Sequence, residues 1–264
     1  MTMTSILPQL QKDMPLRASS FIVTVYGDVV VPRGEVLWMG NLIEICARVG
    51  ISESLVRTAV SRLVQAGRLA GERVGRRSYY RLAPAARTEF AQVAKLLYRA
   101  PEPPLGWIVL HAPTLTEDVI RRQRLGRIEG GVLIAPDHGQ SLPEAVMVLR
   151  AALGPDDRQI ASCWDLAPLQ AGYQDLLARF SPLAQSLAEG AEISPEDALI
   201  ARLLLVECYR STLLRDPRLP PSALAADWAG HAAAQLFARL YVLCPPRLNH
   251  ISQGTLSART AFFL

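Results

Sequence analysis

The 264-residue chain is poor in everything that builds a secreted scaffold, a metal centre or a membrane span. Its four cysteines, Cys46, Cys163, Cys208 and Cys244, form no CxxC and no pairing rhythm, which argues against a disulfide framework and a zinc knuckle. Buried free thiols are the expectation. The four histidines, His111, His138, His231 and His250, are dispersed without an HxxxH spacing that would put two imidazoles on one helical face, so no metal site is expected. No apolar run approaches the roughly 20 residues needed to cross a bilayer; the stretch Leu199 to Val206 is interrupted by Arg202. The start, Met1 to Pro15, lacks the basic and apolar regions of a signal peptide. By elimination the expected address is cytoplasmic, with no membrane partner. No GxSxG elbow, Walker loop or GxGxxG after a strand is present, so neither nucleophilic nor nucleotide-dependent chemistry finds support and no cofactor is expected.

What the chain does have is an uneven charge. Net charge is only +4, yet residues 1 to 100 hold 14 basic against 7 acidic side chains, and residues 101 to 264 hold 14 against 17. A basic head on a mildly acidic body suits a part that meets a polyphosphate and a part that meets something else.

Composition and periodicity divide the chain into three blocks, 1–100, 101–164 and 165–264. The run Ala100-Pro101-Glu102-Pro103-Pro104 forbids a continuing helix and marks a linker. In the second block, Leu105 to Leu110 reads as a strand, Glu117 to Leu125 as a helix and Val132 to Ala135 as a strand after Gly130-Gly131. Pro143 to Leu153 carries a helical pattern, and Gln159 to Cys163 offers a last strand. That order predicts a ferredoxin-like β-α-β-β-α-β domain. The third block predicts helices over Leu166 to Leu187, Ser194 to Leu214 and Leu224 to Leu243, the middle one opened by the cap Ser194-Pro195-Glu196-Asp197 and closed by Asp216-Pro217. The expected class is α+β, with an all-helical C-terminal domain.

The informative stretch is Ser52 to Gly67. Ser52 can cap the first free amides and Gly67 can end the helix in a left-handed conformation. Between them Val56, Ala59, Val60, Leu63 and Val64 form one apolar stripe, and opposite lie Ser54, Thr58, Ser61, Arg62 and Gln65, with Arg57 on the border. Short hydrogen-bonding side chains and arginines are not the Glu/Lys mixture of an ordinary solvated face. The preceding Leu37 to Val49 has Met39, Leu42, Cys46 and Val49 at helical spacing, joined by the turn Gly50-Ile51. Helix, short turn, helix is the arrangement that holds a recognition helix in the major groove of double-stranded DNA. After it, Leu69 to Leu82 reads as two short strands around Gly75, with Arg73, Arg76, Arg77 and Arg81 on or beside the tip and Tyr79 or Tyr80 packing the hairpin on the body. Such arginines can contact phosphates or enter the minor groove. From Glu53 to Arg81 there are seven arginines and two acids, a density that a merely solvated hairpin does not need. The expectation is a winged helix-turn-helix between Val36 and Leu82.

Three segments carry a family resemblance: Phe21 to Asp28 (FIVTVYGD), Leu55 to Leu63 (LVRTAVSRL) and Arg73 to Leu82 (RVGRRSYYRL). Together with Leu214 to Pro220 (LRDPRLP) and Asp227 to Gly230 (DWAG), they resemble the PaaX-like repressors of phenylacetic acid catabolism. The resemblance implies a bacterial homodimeric repressor with a winged helix, a middle domain resembling the Cas2 fold and a helical C-terminal domain. It also implies release from the DNA operator by an aryl-CoA or acyl-CoA thioester. Where the family often shows His-Glu before Tyr209-Arg210, this chain has Glu207-Cys208. A Cas2-like nuclease needs an acid at the end of its first strand, and here that strand ends His111-Ala112-Pro113.

With such an effector in view, Trp164, Tyr209, Arg210, Arg215, Trp228 and His231 combine aromatic faces with cationic donors. Each also has a plainer role, the tryptophans as core anchors and Arg210 and Arg215 as cations near a helix end. Two readings of the body stay open at this point: an effector-responsive dimer, or a constitutive DNA-binding regulator whose body serves dimerisation or a protein partner. The final segment, Ile251 to Leu264, is polar and then apolar, and either packs on a partner or frays.

Overall fold

The computed structural model describes residues 6–34, 36–99 and 102–246; the segment Ile251 to Leu264 lies outside them. The fold is α+β, and its two sheets are antiparallel throughout. The chain forms two compact units. Among the described residues the first runs over 6–98, 176–210 and 234–246, and the second over 99–175 and 211–233.

The first unit begins with α1 (Ile6–Gln11) and α2 (Ala18–Val25). Helix α2 runs on through a π-helical turn, Tyr26–Val30, and a 3-10 turn, Val31–Arg33. Phe21, Ile22, Val25, Tyr26, Val29 and Val30 recur on one face and are all buried, so this FIVTVYGD run is a core helix as well as a sequence signature. Next come β1 (Val36–Trp38), α3 (Met39–Ala47), α4 (Glu53–Gln65), β2 (Leu69–Val74), β3 (Arg77–Leu82) and α5 (Pro84–Tyr98). The strands form a sheet in the order β1-β3-β2. The helix expected from Leu37 starts instead at Met39, because Val36, Leu37 and Trp38 pair with Arg81, Tyr80 and Tyr79. A β-branched residue and an indole suit that half-buried edge.

In the second unit, β4 (Trp107–His111), α6 (Glu117–Gln123), β5 (Gly126–Ile128), β6 (Val132–Pro136) and β7 (Met147–Ala151) build a sheet in the order β5-β6-β4-β7. Side chains alternate across β4: Ile108 and Leu110 join Ile120, Leu125 and Leu133 in one core cluster, while Trp107 joins Ile134, Leu219 and Ala223 in another. Two expectations fail here. Pro143 to Leu153 is not a helix, since Met147–Ala151 pairs along the whole of β4, and Gln159 to Cys163 is a 3-10 turn within Arg158–Cys163 rather than a strand. The second helix of the expected β-α-β-β-α-β order is therefore absent, and all five residues of β7 are exposed.

Three long helices follow, α7 (Ala167–Ala188), α8 (Pro195–Leu213) and α9 (Ala229–Leu243). Ser194 caps α8, its hydroxyl accepting from the Asp197 amide at 3.1 Å. Helix α9 begins five residues later than the pattern from Leu224 suggests, because Pro221–Ala223 forms a separate 3-10 turn. Each of the three contributes residues to both units.

Candidate nucleic-acid interface

Helix α4 is built to show one face. Ser52 is its N-cap and accepts from the Leu55 amide at 3.4 Å. Gly67 follows it at φ +65°, where a side chain would be strained. Val56, Ala59 and Val60 are buried. Ser54, Arg57, Thr58, Ser61, Arg62 and Gln65 are all exposed, as the spacing predicts. Two hydrophobic residues share that exposure: Val64, expected on the apolar stripe, is 38% exposed, and Leu55 is 56% exposed. Leu55 was not among the residues singled out, although its position three residues before Thr58 puts it on the same side. A leucine held in water beside hydroxyls and an arginine can meet a thymine methyl.

The polar residues differ in freedom. Arg57 donates to Glu53 at 2.8 Å in an i,i+4 pair, and the Thr58 hydroxyl donates to the Ser54 carbonyl at 2.8 Å. The Arg62 side chain makes no hydrogen bond or ion pair among the described residues, so its guanidinium is the more available of the two arginines.

Strands β2 and β3 pair from Leu69 with Leu82 to Val74 with Arg77. The turn between them is Gly75 at φ +61° followed by Arg76, the left-handed conformation that a two-residue hairpin requires. Arg73 donates to the Gly75 carbonyl at 3.2 Å, and the Arg77 guanidinium lies 4.9 Å from the Trp38 ring centroid. Arg76 is exposed at the tip with no side-chain partner among the described residues; Arg81, expected on or beside the tip, lies instead near the far end of β3, opposite Val36 and Ala70. The hairpin is moored where the Tyr26 hydroxyl donates to the Tyr80 carbonyl at 3.2 Å. Three of the four arginines are thus exposed, and two of those three are oriented by local contacts.

Behind this surface the first unit holds two buried polar networks that sequence reasoning missed. Arg202 forks onto Asp28, Nε to Oδ2 at 2.7 Å and Nη2 to Oδ1 at 2.9 Å, with both side chains at or below 6% exposure. The Tyr98 and Tyr241 hydroxyls donate to the same Asp28 Oδ1 at 3.1 and 2.9 Å, and Arg202 also donates to the Tyr241 carbonyl at 2.8 Å. Burial, reinforced by the Asp28 charge, holds the Tyr98 phenol well above its ordinary range and pushes Tyr241 up to about 12. In the second network Glu207 accepts from the Ser20 hydroxyl at 2.5 Å, from the Thr24 hydroxyl and from Arg210 at 2.8 Å. Arg210 also donates to the Ser20 hydroxyl at 2.7 Å. The available signal was an acid, Asp28, on an otherwise apolar helix, and an arginine, Arg202, inside an apolar run.

The six effector candidates divide between the units. In the first, Tyr209 stacks on Phe237 with centroids 4.3 Å apart and Arg210 is held by Glu207 and Ser20. In the second, Trp164 donates to the Arg124 carbonyl at 2.8 Å and Trp228 meets Tyr173 edge-on at 5.7 Å. Arg215 and His231 are exposed. Burial pushes Cys46 up to about 12 and Cys244 up to about 11, which leaves both as inert thiols.

Residues 17–86, which hold α2, the α3–α4 pair and the hairpin, match the PaaX-like protein family, and residues 164–253 match the PaaX-like protein C-terminal domain. Over 269 residues the chain is 31% identical to the transcriptional repressor PaaX of Escherichia coli (strain K12), covering 91% of this chain and 84% of that one. The chain belongs to the PaaX-like family. As a PaaX-like protein it shares its fold with the uncharacterized protein Rv0674 of Mycobacterium tuberculosis, at a TM-score of 0.55 and 21% identity, covering 87% of this chain and 96% of the other. The FIVTVYGD signature and the helix of the second network both fall inside the matched segments.

Proposed function

We propose that this PaaX-like protein is a DNA-binding transcriptional repressor, with Val36 to Leu82 acting as a winged helix-turn-helix. Helix α4 enters the major groove and presents Ser54, Arg57, Thr58, Ser61, Arg62 and Gln65 to base edges, while Arg73, Arg76, Arg77 and Arg81 of the wing hold the phosphates. One observation carries this reading. A capped helix whose exposed face is hydroxyls, arginines and one leucine is followed directly by a hairpin with an unpartnered arginine at its tip. The relative named a transcriptional repressor supports the regulatory direction. A homodimer would read two half-sites about one helical turn apart. Genes of aromatic-acid breakdown are the proposed targets, and an aryl-CoA or acyl-CoA thioester the proposed releasing signal.

Selection of bound sequences from random duplex DNA, followed by gel shift with and without phenylacetyl-CoA, tests this. A symmetric site that the thioester releases is the expected result; no enriched sequence ends the reading. A second reading, constitutive binding without an effector, draws on the internal partners that Tyr209, Arg210 and Trp164 already have. It is the outcome if the selected site binds but no thioester weakens it.

A further inference from the structure

The signature Asp216-Pro217-Arg218 belongs to the second unit, and its chemistry is unusual. Asp216 is buried, yet its carboxylate is not paired with the arginines beside it. Oδ1 accepts the Arg218 backbone amide at 2.6 Å, and Oδ2 accepts the Tyr173 hydroxyl at 2.6 Å. Those bonds fold the loop and place Arg218 at φ +58°, a left-handed conformation that a long side chain rarely adopts. Arg124 is the left-handed C-cap of α6 at φ +56°, its amide donating to the Arg121 carbonyl at 3.1 Å and its carbonyl accepting the Trp164 indole at 2.8 Å.

The fold therefore spends two strained positions on arginines whose guanidiniums are left almost unused. Arg124 Nη1 reaches only the Asp216 carbonyl, at 3.5 Å. Arg218 donates no side-chain hydrogen bond among the described residues, and its Nε is fully enclosed without a partner. His138 completes the group: its Nε2 faces the Arg218 carbonyl at 3.1 Å, and since a carbonyl only accepts, Nε2 carries the proton. The electrostatics agree with the geometry. Burial lowers the pKa of Arg218, and the charge of Arg124 lowers it further. Burial and then the Arg218 charge lower that of His138. Two half-buried cations face one carboxylate whose oxygens are already taken, and nearby Asp137 is engaged by Arg150 at 3.0 Å and by the Gly139 amide. Enclosed donors without acceptors are the exception in folded proteins.

We propose that Arg124, Arg218 and His138 form an oxyanion site that takes a phosphate group, with Arg218 as its principal donor. A phosphate supplies several acceptor oxygens to a guanidinium fork and a second negative charge that one carboxylate lacks. Free phosphate and a phosphate ester share that chemistry. Arg158, exposed and donating to Asp156 Oδ1 at 2.8 Å, provides an internal control.

The test is a titration of the full-length protein with sodium phosphate, and separately with phenyl phosphate, against sodium chloride at matched ionic strength. The readouts are the melting temperature and the His138 ring signals by NMR. Saturable stabilisation with a rise of roughly half a unit or more in the His138 pKa is expected, because a bound anion favours the imidazolium. Stronger binding of the ester identifies an organic phosphate as the physiological form, and equal binding identifies the free ion. Arg218→Gln and Arg124→Gln should each weaken binding about tenfold or more, the range of a lost charge-assisted hydrogen bond. Arg158→Gln should change nothing. Arg218→Lys keeps the charge and covers the case in which Arg218→Gln does not fold. The proposal is overturned if neither probe moves His138 in the unaltered protein beyond the chloride control, or if Arg218→Gln and Arg218→Lys bind phosphate as the parent does.

Discussion

The arginines of the first unit occur in two settings. Arg62 and Arg76 stand in water with no partner among the described residues, whereas Arg202 is 6% exposed and forked onto Asp28. The same side chain is free to recognise something in one place and fully spent in the other. An exposed guanidinium keeps its donors for a ligand and contributes little to folding, with surface ion pairs typically worth about 0–1 kcal/mol. A buried one must satisfy every donor internally, and removing its partner strands a charge in the core. Availability and stability thus fall on different arginines.

The sharpest way to break that division is Asp28→Ala. It should destabilise the protein by about 3–5 kcal/mol, measured by urea unfolding, since Arg202 loses its counter-charge and two tyrosines lose their acceptor. A change under about 1 kcal/mol would mean that the pair contributes no structure. The same network gives a pH signature. Tyr241 titrates near 10 in the unfolded chain and near 12 in the fold, so the folded state holds its proton more tightly. Stability is unaffected by this group below pH 10 and falls as pH rises from about 10 to 12; an alkaline melting series without that fall would contradict the buried phenol.

On the exposed side, Arg62→Ala should relax base preference by about 1–3 kcal/mol at one position while leaving the urea midpoint in place. Arg57→Ala is expected to do less, because Glu53 already shares that guanidinium. Ser52→Ala removes the cap of α4 and should cost about 1 kcal/mol of stability, read by urea unfolding. The smallest stability effect belongs to Arg76→Ala, within about 0.5 kcal/mol. It should still reduce the slope of log affinity against log salt by about 1, equally for all DNA sequences.

The division also explains what could be read from the chain. Ser52, Gly67 and Gly75 act through atoms a few residues away, so the ends of α4 and the hairpin turn were visible as local chemistry. So was the face of α4, apart from Val64, which was expected in the apolar stripe and which the fold leaves 38% exposed. Strand β7 was misread because its identity is set by pairing with β4, nearly 40 residues earlier, and because no buried face imposes an alternation on it. The Asp28–Arg202 pair was beyond reach for a similar reason: 174 residues separate the partners, and neither carries a local sign of the other. Tyr209 and Arg210 could be chosen by type but not by availability, since only the fold shows that Phe237 and Glu207 already occupy them.

That separation of 174 residues also has a consequence for synthesis. Asp28, in the π-helical turn after α2, finds its arginine only when α8 exists, and that arginine finds the Tyr241 carbonyl only when α9 does. On the ribosome α4 and the hairpin emerge first, with the Asp28 carboxylate still uncovered, and the unit that contains them closes only after α8 and α9 have followed. A chain released early would carry the complete helix and hairpin on an unfinished core. The fold thereby couples completion of the core behind that helix and hairpin to the arrival of α9.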